Sequence, residues 1–600
     1  MSSNQSGAAV SPTRRSRVAH YLTVAALLVA GTAHAGERPG DRRSKLDPAV
    51  ADAIAANGSR VRVIVHTPTG RRAALRARLL QHGDSVGADY GLLDGFSALL
   101  HSEDIQTLEA DDAVTHVSLD AVVHSSGTIA PSTGDSTTLP LLRTLGLAGT
   151  ARSGRGIGVA VLDSGIQPNS QLAPTFFYDF TRDGGATAAY DDYGHGTHVS
   201  GLIAGGVAPN VRLISLKVLD GNGEGFTSTV VSALEFVIAN RVRLGIDVVN
   251  LSLGHPITEP AARDPLVQAV EAATRAGLIV VVSAGNCGRN PVTGIEGYAG
   301  ITSPGNAPSA LTVGALDTRN TITRLDDLVP GYSSRGPTWY DGFPKPDIVA
   351  PGQDLVSYAA RGSLLYQQHP ERIVSDQPGR AAYMRLSGTS MAAAVTSGVV
   401  ALVLEQHRRV ADRALTANEV KAMLQFTALP LASADALTQG AGALNGHGAL
   451  VLTATHPVAD VLGRWRVAST LSPISVIGAD ANVWSQTVVW GNTVVWGNVV
   501  YGNEKAWSSA IAWGSPTTWA NGSSTGVGPV SALAATWMPN TVRGPVTLAA
   551  GMTYADTVVW GNTVVWGNTV VWGNTVVWGN TVVWGNSETV VWGNTVVWGN

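Results

Sequence analysis

Through the middle of the chain, short apolar-rich runs alternate with stretches of helical spacing. The runs from Gly158 to Leu162, Val211 to Lys217, Asp247 to Leu251 and Leu278 to Val282 have the length of strands. Strands that alternate with helices predict an α/β domain, a doubly wound parallel sheet with helices on both faces. Active sites in such sheets sit beyond the carboxyl ends of the strands, and Asp163 directly follows the first run. Six hundred residues exceed one hydrophobic core, so further domains are expected on either side.

Three segments carry chemistry: Val161-Leu162-Asp163-Ser164-Gly165, Gly194-His195-Gly196-Thr197-His198 and Gly388-Thr389-Ser390-Met391-Ala392. They supply a carboxylate, an imidazole and a hydroxyl. A serine hydroxyl is a poor nucleophile at neutral pH until a base takes its proton, and that base needs a carboxylate to fix its tautomer. Ser390 stands where an apolar helix begins, Met391 to Leu404, so the positive end of a helix dipole favours charge developing there. Singly, the three segments are a turn, a helix start and an N-cap. In this order, with these flanks, they resemble the subtilisin-like serine proteases.

That resemblance implies the roles Asp163 orienter, His195 general base and Ser390 nucleophile. It implies an oxyanion donor in Val282-Ser283-Ala284-Gly285-Asn286, where Asn286 matches the family amide and Ala284 and Gly285 flank the substrate. Ser252, Leu253 and Gly254, within Asn250-Leu251-Ser252-Leu253-Gly254, resemble the edge segment lining the pocket for the residue before the scissile bond. Gly223-Glu224-Gly225 resembles the edge strand on the other side of an extended substrate, with Glu224 facing the cleft and favouring basic or polar residues upstream of the cut. Tyr332 to Pro337 and Lys345 to Gly352 are similar to family segments that lead into the serine.

Some residues depart from the family pattern. Ala394 stands where relatives usually carry Pro, a change that favours the helix. Gly201 to Gly206 runs straight into Val207-Ala208-Pro209 without the Asp or Asn cluster that would ligate calcium, so that loop site is expected to be absent. No metal site is assigned and no cofactor is required; structural calcium elsewhere is left open. Cys287, the single cysteine, excludes an intramolecular disulfide and stands beside Asn286 as a buried inert thiol or a mercurial-sensitive one.

Upstream, Arg14-Arg15-Ser16-Arg17, an apolar stretch from Ala19 to Ala30 and Ala33-His34-Ala35 describe a secretory signal peptide over 1–35. The apolar stretch is shorter than the about 20 residues that a membrane span needs. Residues 36–60 read as a polar, poorly ordered lead-in. Over 61–124, strand-like Val61 to His66, helical Arg71 to Gln81, a turn into a strand at Leu92 to Leu100, a short helix at Ile105 to Leu108 and a strand at Val114 to Leu119 suggest a small α+β ferredoxin-like unit. Its Gly95-Phe96-Ser97-Ala98-Leu99 phrase resembles the family's inhibitory propeptide, which implies an intramolecular inhibitor. Residues 125–138 (SSGTIAPSTGDSTT) read as a cleavable linker holding the maturation site, and 139–455 as the catalytic domain.

From 456 to 600 the composition changes, with 15 of the 16 tryptophans and hardly a charge. The hexapeptide Thr-Val-Val-Trp-Gly-Asn fills Thr487 to Asn498 and Thr557 to Asn600, interrupted by Ser587-Glu588. The period suits four-residue strands joined by two-residue turns, which predicts a β-meander, with a solenoid as the competing arrangement and a low-complexity tail as the plainest. Surface anchoring, glycan binding and self-association remain open roles.

Net charge −4 becomes −7 if the basic signal segment leaves, and no basic face marks a nucleic-acid partner. Together these readings predict a secreted or cell-surface serine endopeptidase acting on proteins or peptides and made as a self-inhibited zymogen. The rival is an inactive protease scaffold that adheres through its tail.

Overall fold

The computed structural model describes residues 44–128 and 141–486, apart from 57–58, 183–186, 291–293, 342, 456–457, 460–463 and 467–470. The strands of 458–466 and of the repeat region are described by their backbone alone. The expected signal peptide at 1–35, most of the expected linker, 129–138, and the first two residues of the expected catalytic domain lie outside the described residues.

An N-terminal unit comes first. Helix Pro48–Ala55 starts on an Asp47 side chain that accepts from Ala49 N at 2.9 Å. It lies inside the stretch expected to be a poorly ordered lead-in, and its Val50 is fully buried. Four strands follow: β1 (Arg60–His66), β2 (Ser85–Tyr90), β3 (Gly95–His101) and β4 (His116–Leu119), with helices Arg72–Gln81 and Ser102–Leu108 between them. They form one antiparallel sheet in the order β2-β3-β1-β4, the ferredoxin-like arrangement. Strand β2 escaped the sequence pattern because Ser85-Val86-Gly87-Ala88-Asp89-Tyr90 buries only its last residue.

A short strand β5 (Val122–Ser125) leaves this unit, and the large domain follows. Its strands include β6 (Gly158–Asp163), β7 (Phe176–Asp179), β8 (Arg212–Lys217), β9 (Glu224–Phe226), β10 (Val248–Leu251), β11 (Leu253–Gly254), β12 (Ile279–Ser283), β13 (Leu311–Leu316) and β14 (Ile348–Pro351). Seven of them form a parallel sheet in the order β14-β13-β12-β10-β6-β8-β7. Every residue of β6, β10, β12, β13 and β14 is buried, as a sheet covered on both faces requires. Apolar clusters lie on each side: one contains helix Thr389–His407, apolar nearly all round, and the other the buried face of helices Thr227–Leu244 and Pro265–Arg275.

The large domain continues past the expected boundary at 455. Strands Ile474–Ile477 and Asp480–Val483 make a hairpin whose Ile477 and Trp484 join the same core cluster as the Thr389–His407 helix. Trp484 Nε1 donates to Ser475 Oγ at 2.8 Å, and Ser485 N and Gln486 N donate to the carbonyls of Ala428 and Phe426. Tryptophan enrichment therefore does not mark the domain edge, because the second of those tryptophans is a core residue.

The repeat strands correct the expected meander. Thr557–Trp560, Thr569–Trp572, Thr581–Trp584 and Thr595–Trp598 pair in parallel, and so do Thr563–Trp566, Thr575–Trp578 and Val590–Trp592. Each strand skips its sequence neighbour and pairs with the next repeat but one, so Trp560 lies in register with Trp572, and Trp566 with Trp578. Two hexapeptides make one coil of a two-sheet solenoid. Identical repeats permit this stacking, whereas two-residue hairpins would return each strand antiparallel. The antiparallel pair Thr493–Trp496 and Val499–Gly502 joins one of the two ladders.

Candidate active site

Asp163 ends β6 at the carboxyl edge of the parallel sheet. Its Oδ1 accepts from His195 Nδ1 at 2.8 Å and from Ser164 N at 2.7 Å. Both side chains are about 1 % exposed, so the pair is shielded from water. His195 opens helix His195–Gly201, and Asp191 holds that helix start: its carboxylate accepts from Gly194 N, Thr197 N, Thr197 Oγ1 and Ser164 Oγ at 2.6–2.9 Å. Ser164 Oγ in turn accepts from Gly196 N at 2.9 Å. Asp191 thus locks the aspartate loop to the histidine helix, a role the sequence reading missed although an Asp shortly before a helix start is a capping signal.

Ser390 is the second residue of helix Thr389–His407 and is fully buried. Gly388 before it has φ +139°, and a Cβ there would stand 2.5 Å from Ser126 O, so only glycine fits. The Ser390 hydroxyl donates to Ser252 O at 3.1 Å, and His195 Nε2 has no hydrogen-bond partner. The carboxylate–imidazole half of the site is therefore assembled, while the hydroxyl is turned onto the neighbouring strand. Beneath it runs a chain absent from the sequence reading: Ser397 Oγ to Asn250 Oδ1, Asn250 Nδ2 to Ser252 Oγ, and Ser252 Oγ to Ser390 O, each at 2.9–3.1 Å.

Asn286 follows β12. Its Oδ1 accepts from Thr389 N and Thr389 Oγ1, both at 3.0 Å, which aims the amide nitrogen across the cleft. Asn286 Nδ2 donates to Ser126 O at 2.6 Å, and Ser390 N lies 3.4 Å from the same oxygen. Two donors thus converge on one carbonyl.

That carbonyl belongs to the segment leaving the N-terminal unit. Strand β5 lies antiparallel between β9 and β11, completing a three-stranded sheet. Val123 pairs with Gly225, His124 with Glu224 and Gly254, and Ser125 with Leu253. Ser125 N donates to Gly223 O at 3.2 Å and Ser126 N to Ser252 O at 3.0 Å. Beyond the cleft Thr128 exchanges two backbone hydrogen bonds with Ser387. Gly223, Glu224, Gly225, Ser252, Leu253 and Gly254 are thus brought together along one extended peptide. Ala284, by contrast, is fully buried and bonds through its backbone to Val313 and Thr302, and Gly285 N donates to Thr389 Oγ1.

The chain is similar to known proteins. A model of the subtilase family matches residues 154–449. The chain is 31 % identical over 361 residues to an alkaline protease of Alkalihalobacillus alcalophilus, covering 78 % of that protein and 59 % of this chain. The chain belongs to the subtilase family, whose members are serine-type endopeptidases. It is also 37 % identical over 314 residues to the serine protease AprX of Bacillus subtilis, covering 66 % of that protein and 50 % of this chain. The solved structure of fervidolysin from Fervidobacterium pennivorans shares the fold, with TM-score 0.51 and 22 % identity over 65 % of this chain and 61 % of the other.

Two side chains near the site have displaced protonation equilibria. Burial, then the nearby His195, pushes His198 down to about 3, so its ring is neutral and its Nε2 bonds Leu355 O at 3.0 Å. Burial pushes the Cys287 thiol up to about 11, which disfavours the reactive thiolate. In this subtilase the segment after the histidine helix, Leu202–Val207, is a π-helical turn of apolar and small residues offering no side-chain oxygen. Among the described residues the cluster with metal-ligand spacing is Asp84, His101 and Asp104 in the N-terminal unit. The His101 ring there already bonds Asp84 Oδ1 at 2.9 Å and accepts from Arg60 Nε at 3.0 Å.

Proposed function

We propose that this subtilase is a secreted serine endopeptidase, made as a zymogen whose N-terminal unit is an inhibitory propeptide, and that its first substrate is its own Ser126–Gly127 bond. The observation that carries the reading is the Ser126 carbonyl oxygen under Asn286 Nδ2 and Ser390 N, in a strand paired on both sides. Preorganised donors at that oxygen stabilise the charge that develops when the carbonyl becomes tetrahedral.

In the reaction Ser390 Oγ turns from Ser252 O and attacks the Ser126 carbonyl carbon, while its proton passes to His195 Nε2. Asp163 holds Nδ1–H and stabilises the imidazolium. The tetrahedral intermediate collapses as the Ser126–Gly127 C–N bond breaks, and His195 gives the proton to the leaving Gly127 nitrogen. Water, deprotonated by His195, then cleaves the Ser390 ester and frees the Ser126 carboxylate.

The N-terminal unit also grips the catalytic body away from the cleft. Asp120 accepts from Ser228 N and Oγ at 2.8 and 2.9 Å, capping helix Thr227–Leu244. Tyr90 OH donates to Ser228 O at 3.1 Å, Leu92 N donates to Glu235 Oε1 at 2.9 Å, and His116 Nε2 meets Glu259 in a buried contact. After the cut these contacts retain the unit as a product-like inhibitor. The repeat solenoid serves surface retention or self-association. Expression of the full chain beside Ser390→Ala tests the reading. The wild type shortens itself and degrades casein, and the variant does neither. A wild type that keeps its full mass and leaves casein intact contradicts it.

A further inference from the structure

The cleft also says which peptides it takes. We infer that this protease is selective for a bond between a small hydroxyl residue and glycine; the inference rests on the endopeptidase reading above. The evidence is the fit of each residue of Val123-His124-Ser125-Ser126-Gly127 to its own wall.

Gly127, the residue after the cut, packs against the catalytic imidazole. A Cβ built on it would lie 2.7 Å from His195 Cδ2 and 3.0 Å from His195 Nε2. Real carbon–carbon contacts are not that short, so a side chain there displaces either the peptide or the base that must receive the Ser390 proton. Glycine is the residue that leaves the ring in place.

Ser126, the residue before the cut, is buried, and its Oγ accepts a hydrogen bond from Ser283 Oγ at 3.0 Å. Ser283 is the fully buried last residue of β12, three positions before Asn286, so the group that reads the side chain and the group that holds the carbonyl share one rigid strand end. Thr302 stands between the walls of this position: a Cβ on Gly254 or on Gly285 would come within 2.8 or 2.7 Å of Thr302 Oγ1. A hydroxyl side chain pairs with Ser283, whereas an apolar one leaves that buried hydroxyl without this partner.

Ser125 lies 3.3 Å from Tyr193 OH through its Oγ. His124 stands 3.6 Å from Glu224 with both side chains about half exposed, so it adds little. Val123, in contrast, is fully buried in the cluster that contains Leu219 and Leu253, and its Cγ2 faces bare Gly225. Ser283 is thus a specificity-determining position, and the substrates are extended chains that present a serine–glycine bond to the cleft.

The test uses the matured full chain and the hexapeptide Val-His-Ser-Ser-Gly-Thr, with single replacements at each site. Valine in place of the glycine is expected to lower kcat/KM at least tenfold, and alanine in place of the second serine to lower it about fivefold, the weight of one neutral hydrogen bond. In Ser283→Ala the serine-to-alanine ratio is expected to fall to about one, and Ser283→Thr, which keeps a hydroxyl, to retain part of it. Equal rates for glycine and valine peptides, or a serine-to-alanine ratio unchanged in Ser283→Ala, overturn the selectivity while leaving the protease reading standing. A wild type inert toward every peptide and toward casein overturns both.

Discussion

Among the sheets of the large domain, two meet at the same serine but are built on opposite terms. The seven-stranded sheet is parallel, its strands β6, β10, β12 and β13 are buried along their whole length, and each of its strands comes from the domain itself. The three-stranded sheet is antiparallel, its outer members β9 and β11 are three and two residues long, and its middle strand is lent by the N-terminal unit. The first is held by apolar area removed from water. The middle strand of the second is held by backbone hydrogen bonds and by its one deeply buried side chain, Val123, worth about 1.5–3 kcal/mol. A sheet of the first kind is permanent. A sheet of the second kind can give up its middle strand and accept another extended peptide in its place.

The contrast can be broken by substitutions that touch one sheet and spare the other. Trp484→Ala removes a core side chain on the permanent side, and urea unfolding in a Ser390→Ala background is expected to show a loss of about 3–5 kcal/mol; a loss below about 1 would return the hairpin to the tail. Asn286→Ala acts at the exchangeable sheet, lowering turnover about 10²- to 10³-fold, the range known for that donor in subtilisin, with the folded state retained by circular dichroism. Asp120→Ala strips the borrowed cap from helix Thr227–Leu244 and leaves Ser228 unpaired, so the cleaved unit should dissociate about 5- to 150-fold more readily, read as residual inhibition after processing.

A last effect, spread over several pH units, is a pH slope within the permanent core. His198 is neutral in the folded protein because its equilibrium lies at about 3, whereas an unfolded histidine takes a proton near its ordinary value of 6.5. The unfolded state therefore binds the extra proton between those values. The stability from this residue is complete above about pH 6.5 and is lost, at about 1.4 kcal/mol per unit, as pH falls toward 3. His198→Gln should start less stable and show a slope shallower by that amount in urea titrations at successive pH values.

The two sheets also differ in how far the sequence exposes them. Four strands of the parallel sheet, β6, β8, β10 and β12, stand out as apolar runs, and Asp163, His195 and Ser390 stand out because each lies within two residues of a glycine. The residues that complete the site around them do not: Asp191, Thr389 and Ser283 are ordinary polar residues whose partners lie 27, 103 and 157 positions away. Short strands such as β9 and β11 carry too little periodicity to be read from pattern, and only the family resemblance marked them. Trp484 shows the reverse failure, where a composition shift placed a core residue in the tail. In the repeats the six-residue period revealed strand length, yet the choice between hairpin and solenoid depends on which strand pairs with which, and identical repeats carry no information on that choice.

The central claim is that the N-terminal unit presents Ser126–Gly127 to the Ser390 site. N-terminal sequencing and intact-mass measurement of the matured wild-type protein test it most directly. The account predicts a mature chain beginning Gly127-Thr128-Ile129 and a released unit ending at Ser126. A first residue anywhere in 130–140, with Ser126–Gly127 still joined, would contradict it.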